Sequence, residues 1–165
     1  LLMAKAYPQS RFWGFDYHDE SIQIAQDRTQ QEGLSDRVTF EVASAKGYPK
    51  EGFDLICFFD CLHDMGDPVG AAKHAAQSLA AGGTVMLVEP FANNRVEDNL
   101  NTVGRLYYAA STTICCAHSL SEEVGLALGA QAGEDRLAKI FKEAGFKTFR
   151  RATETPFNLI LEARL

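Results

Sequence analysis

No apolar run in this sequence approaches the roughly 18–20 residues that span a bilayer. The amino terminus also lacks the charged-then-apolar layout of a secretory leader. There is no internal repeat and no low-complexity stretch. Cysteine is scarce: Cys57, Cys61, Cys115 and Cys116 are the four, with no CxxC and no Cys/His spacing of the kind that builds a zinc site. The spacing therefore predicts reduced core cysteines in a cytoplasmic protein, and no metal. Positive charge is short as well. The formal net charge of -6 argues against a nucleic-acid or anionic membrane partner, because phosphate binding draws on a basic excess.

What is present suits one soluble domain spanning 1–165, with 46% apolar and 23% charged residues. Leu1 to Tyr7 reads as the tail of a helix, so the sequence is expected to begin inside an element. Arg11 to Tyr17 is an aromatic run that suits a buried strand. Asp19 caps a predicted helix to about Glu32, with Gly33 as its stop. A strand follows over Arg37 to Ala43, then a loop marked by Gly47, Pro49 and Gly52. Phe53 to Phe59 is almost continuously apolar, as a strand covered on both faces should be. Asp67-Pro68 starts a helix with Val69, Ala72, Ala76 and Leu79 on one face, ending at Gly82. Thr84 to Val88 is the next buried strand.

This alternation predicts an α/β fold, a Rossmann-like doubly wound, mostly parallel sheet. Its ending differs. A helix over about Glu134 to Ala144 buries Leu137, Ile140, Phe141 and Ala144, and strands over Phe146 to Arg151 and Phe157 to Ala163 follow. The short Ala152 to Pro156 link leaves no room for a helical crossover, so these two strands pair antiparallel. Before them lies an insertion, about Asn93 to Gly133. Its stripe of Leu100, Val103, Tyr107, Ala110 and Ile114 predicts an amphipathic helix, and the segment a lid or substrate wall.

In open α/β sheets ligands bind beyond the carboxyl ends of the strands, so the residues ending each strand are the candidates. A carboxylate at Asp16 can accept hydrogen bonds from both hydroxyls of a ribose, or simply favour a helix N-terminus. Ser44-Ala45 ends the second strand and can read an adenine edge. Asp60, Cys61, Leu62, His63, Asp64, Met65, Gly66 and Asp67 follow the third. There His63 can serve as general base, and Glu89, ending the next strand, can orient it.

Asp16, the FDLICFFDCLHDMGDP and LAAGGTVMLVEP stretches, and the terminal AGFKTFRRATETPFNLILEARL together resemble class I S-adenosylmethionine-dependent methyltransferases. The last stretch, with LSEEVGLALGAQAGEDRL before it, is similar to bacterial members that carry an upstream winged-helix domain. The resemblance implies that Asp16 holds the ribose and Tyr17 lies beside the adenine. Position 44, often Asp in the family, is Ser44 here. Asp60 and Cys61 would line the methionine end of S-adenosylmethionine. LHDMGD also looks like the LHDW-x-D segment of small-molecule O-methyltransferases, which makes His63 the base for a hydroxyl acceptor and Glu89 its support. Tyr107 is expected to pack and Tyr108 to touch the acceptor.

The family's glycine-rich loop and first strand are not found in these residues. The resemblance would place that strand between the RFWGFDY and FDLICFF strands. A chain lacking it is expected to dimerise through unpaired strand edges, to pair its strands anew, or to bind cofactor poorly. Two other functions compete: a non-catalytic cofactor-sensing or regulatory module, and an NAD-dependent oxidoreductase, since an acid ending a strand also holds the ribose of NAD.

Overall fold

Alternating apolar residues around Phe12 and Val38 produce two short parallel strands, β1 (Phe12–Asp16) and β2 (Val38–Val42). The computed structural model describes residues 1–165, and these strands belong to the first of its two units, Leu1–Pro49 and Lys50–Leu165. Helix α1 (Leu2–Ala6) contributes Ala4 to a small core with Leu34 and Val38, closed by Leu1, Phe12 and Phe40. Gly14 makes room for Phe40, whose ring would lie 2.2 Å from any Cβ at that position. The Arg11–Tyr17 strand is half-buried, not buried: Trp13 and Asp16 are exposed, and Phe12 and Phe15 are half-buried.

Helix α2 (Asp19–Gln31) starts one residue earlier than its acidic turn suggests. The cap is His18, whose Nδ1 accepts from the Ser21 amide at 3.2 Å. Asp19 instead sits in the first turn, where a carboxylate favours the positive end of the helix dipole.

The second unit is built on a four-stranded sheet, ordered β3-β4-β6-β5. Strands β3 (Phe53–Phe59) and β4 (Leu79–Pro90) run parallel. The terminal strands β5 (Thr148–Glu154) and β6 (Asn158–Arg164) form the expected antiparallel hairpin, and β6 also pairs antiparallel with β4. Helix α3 (Pro68–Ser78) is capped by Asp67, whose Oδ1 accepts from the Gly70 amide at 2.7 Å. It stops four residues short of Gly82. Leu79 is already extended and pairs with Phe53, and the ladder slips before Leu55. Gly82, at φ +80, and Gly83, against the Phe53 carbonyl, permit this irregularity.

Two readings of burial are corrected here. Strand β3 is not covered on both faces: Leu55 and Phe59 are exposed, and β3 has a ladder partner on the β4 side alone. By contrast Val85, Leu87, Leu159, Leu161 and Ala163 are buried in the central strands. Helix α6 (Glu134–Glu143) buries Leu137, Ile140 and Phe141 as its periodicity indicates. The Phe141 ring packs edge-on to Phe146, with centroids 5.1 Å apart.

The insertion is not one regular helix. Helix α4 (Thr102–Ala110) passes through a π-helical turn, Ser111–Cys115, into α5 (Cys116–Ser121). Its apolar stripe does not face inward throughout, since Leu100 is 78% and Ile114 64% exposed. The buried positions are the small residues Gly104, Ser111, Cys115 and Ser119. Small side chains let this segment approach other backbone closely and bond to it. Ser119 Oγ donates to the Met65 carbonyl at 2.8 Å and accepts from the Ala127 amide at 3.0 Å. Ser111 Oγ accepts from the Ala130 amide at 2.9 Å. At Gly104 a Cβ would stand 1.9 Å from the Asn99 carbonyl oxygen. Gly104→Ala is therefore expected to destabilise the fold by about 1–3 kcal/mol, seen as a lower urea midpoint; an unchanged midpoint would show that the Asn99 turn yields freely.

Candidate active site

The carboxyl ends of β3 and β4 place three functional groups together. Asp60 continues the ladder, its amide donating to the Val88 carbonyl at 2.8 Å. It holds φ +48, an unusual conformation for a residue with a side chain. Its carboxylate accepts from Asn158 Nδ2 at 3.1 and 3.3 Å, so the first residue of β6 fixes it. Cys61 then opens a single turn of 3₁₀ helix, Leu62–Asp64.

Glu89, on β4, organises that turn. One carboxylate oxygen accepts from the Leu62 amide at 3.0 Å, and the other lies 2.5 Å from His63 Nδ1. Both residues are buried, Glu89 at 1% and His63 at 4% exposure. On the far side of the ring, Nε2 lies 3.2 Å from Asp64 Oδ1. Burial alone would lower the imidazole, but the bonds and charges of Asp64 and Glu89 outweigh it and push His63 up to about 11. Burial raises Glu89 as well, against the lowering effect of its bond to His63. To accept a proton from an acceptor, Nε2 must be unprotonated and parted from Asp64.

The thiol of Cys61 is pushed up to about 12, by burial first and then by the charge of Glu89. It is therefore no nucleophile near neutrality. Tyr107 is half-buried, and its hydroxyl donates to the Phe157 carbonyl at 2.9 Å, so it ties α4 to the hairpin as a packing residue should. Tyr108 is half-buried on the same helix. Neither of two surface concavities, of about 460 and 230 Å³, is lined by His63, Glu89 or Tyr108.

In the first unit, Asp16 ends β1 and is exposed; its Oδ1 accepts from the His18 amide at 2.8 Å. Tyr17 is exposed. Ser44 is exposed and Ala45 half-buried in the turn after β2, where the Ser44 carbonyl accepts from the Gly47 amide.

A methyltransferase domain family matches residues 1–145. The chain belongs to that family. The match disfavours the oxidoreductase alternative. A methyltransferase of Streptomyces halstedii, GfsG, is 27% identical over 122 residues, which is 70% of this chain and 44% of the relative. A solved structure of PigF with SAH superposes with a TM-score of 0.74 at 18% identity, covering 99% of this chain and 46% of that one. The O-methyltransferase NcsB1 from neocarzinostatin biosynthesis, solved with S-adenosyl-L-homocysteine and 1,4-dihydroxy-2-naphthoic acid, gives 0.72 at 19% identity, covering 99% and 44%. The chain thus spans less than half the length of these proteins. At such identities the superpositions show a common fold.

The sequence assigns no role to three residues of this methyltransferase domain that lie at or beside the Glu89–His63 pair. Asp64 stood beside His63 in the LHDMGD segment, but only the ring's orientation shows which nitrogen it meets. Asn158 opens the last strand, and its pairing with Asp60 depends on the β4–β6 register. Cys115 lies one position beyond the apolar stripe, and the π-helical turn carries it to the buried face.

Proposed function

We propose that the methyltransferase domain transfers a methyl group from S-adenosylmethionine to an oxygen of a small-molecule acceptor, with His63 as general base and Glu89 as its support. The buried Glu89–His63 pair at the ends of adjacent parallel strands carries this reading. Glu89 holds Nδ1, which leaves Nε2 as the atom that takes the acceptor proton. The bound sulfonium supplies an activated methyl. The protein's part is to align the acceptor, exclude water and hold the proton, for which a base contributes about 10²–10⁴-fold. Burial of His63 means that the acceptor reaches Nε2 by displacing Asp64, and the Asn93–Gly133 segment, with Tyr108, is the wall that moves to admit it.

The residues present suit the cofactor. Asp16 is an exposed acid at the carboxyl end of a parallel strand, where a ribose is held in such folds. Tyr17, Ser44 and Ala45 are proposed for the adenine, and Asp60 and Cys61 for the methionine end. Asp16→Ala is expected to weaken S-adenosylhomocysteine binding by about tenfold or more, the loss of two hydrogen bonds to a charged acceptor, read by calorimetry. Unchanged affinity would remove Asp16 from the site. The partly unpaired β1 and β3 also support association between copies, which sedimentation at increasing concentration would reveal.

One observation favours the second reading, a non-catalytic cofactor-sensing module: Nε2 is already engaged by Asp64 and the ring is enclosed. Release of S-adenosylhomocysteine during incubation with a panel of hydroxyl-bearing small molecules separates the two. Cofactor binding with no release for any acceptor would support sensing and overturn catalysis.

A further inference from the structure

Cys115 takes no part in the proposed methyl transfer, yet its thiol is buried against the catalytic dyad. It interacts with both the Asp64 carboxylate and the His63 ring. One candidate ligand atom from each of His63, Asp64 and Cys115 lies within 4.8 Å of the others. Imidazole nitrogen, carboxylate oxygen and thiolate sulfur are the donors that zinc takes. Zinc bonds of roughly 2.0–2.3 Å in a tetrahedron set neighbouring donors about 3.3–3.6 Å apart. The Nε2 to Oδ1 distance is already 3.2 Å, and the sulfur needs to close by no more than about 1.3 Å to complete that geometry.

Two further features point to a cation. Asp64 Oδ1 is buried and makes no well-formed hydrogen bond, although it stands 3.2 Å from Nε2. Glu89 on Nδ1 is the carboxylate support that zinc-binding histidines generally have, and it leaves Nε2 to face the other two donors.

We propose that His63, Asp64 and Cys115 form a Zn²⁺ site with its fourth position open to water, and that the ion inhibits methyl transfer by taking the Nε2 lone pair. Binding sends the thiol proton, and any proton on Nε2, to solvent. No group is oxidised or reduced. The inhibitory role rests on His63 as base; the site itself does not.

Metal-free protein titrated with Zn²⁺ against a chromophoric chelator should take up one equivalent. With Co²⁺ in its place, a thiolate-to-cobalt charge-transfer band should appear. Cys115→Ser should lower zinc affinity by more than about tenfold and abolish the band, and Glu89→Gln should weaken binding about 10–100-fold. Cys116→Ser should leave both signals. A band that persists in Cys115→Ser, or no uptake above that variant's, overturns the site. Should Cys115→Ser fail to fold, Asp64→Asn decides: its side chain is partly exposed, and unchanged zinc affinity there overturns the site equally. Zinc that binds without slowing turnover overturns the inhibitory role. Failure to bind zinc leaves the turnover of metal-free His63→Ala, and with it the base, untouched.

Discussion

His63→Ala in the intact protein should lower turnover by about 10²–10⁴-fold while leaving affinity for S-adenosylhomocysteine nearly unchanged. The reason is the division of labour at the strand ends. The methyl arrives activated, so its binding owes nothing to the base; an acceptor hydroxyl, in contrast, becomes nucleophilic as its proton leaves. His63 reaches that proton through Nε2 alone, because Nδ1 is committed to Glu89 at 2.5 Å. Kinetics and calorimetry on the same preparation check the split. Equal losses in turnover and cofactor affinity would indicate a collapsed turn and a structural histidine.

Glu89 carries the second large effect, and on two observables together. Its carboxylate accepts from both the Leu62 amide and the His63 ring, at 1% exposure. Glu89→Ala leaves the ring and the amide buried without that partner, and removing one member of a buried charged pair costs about 3–5 kcal/mol. The variant should melt far below the wild type. Glu89→Gln keeps the volume, but its NH₂ confronts an N–H donor wherever its oxygen satisfies the other. It should cost a smaller amount, about 1–3 kcal/mol, for a buried group left unsatisfied. Its turnover should still fall by about 10²-fold or more, because the ring loses the partner that fixes its orientation. Thermal unfolding and turnover measured on both variants check this. A stable, fully active Glu89→Gln would mean that Glu89 merely fills the core.

Much of this was legible in the sequence because it depends on local rules. The parallel β3–β4 pair, the terminal hairpin and the apolar face of α6 follow from apolar periodicity and a link too short for a crossover. The meeting of His63 with Glu89 follows from Glu89 lying at the end of its strand and His63 in the turn just after the neighbouring one. Burial was less legible. Phe53–Phe59 has the composition of a strand enclosed on both faces, but composition does not say what packs on each face, and Leu55 and Phe59 remain exposed. The insertion misled for a related reason. Leu100, Val103, Tyr107, Ala110 and Ile114 have helical spacing, yet close backbone approach selects Gly104, Ser111, Cys115 and Ser119 for the inner face. The π-helical turn, which no spacing announces, shifts the register at Cys115. The cysteine spacing likewise gave no sign of a metal, because the donors proposed for one converge from segments far apart in the chain.

The most direct measurement is a crystal structure of the protein with S-adenosylhomocysteine and a turned-over acceptor. The account predicts that Asp64 has left Nε2 and that the acceptor oxygen stands within about 2.6–3.2 Å of that nitrogen, with Glu89 still on Nδ1. An acceptor seated elsewhere, with His63 enclosed and Asp64 still against Nε2, would contradict it.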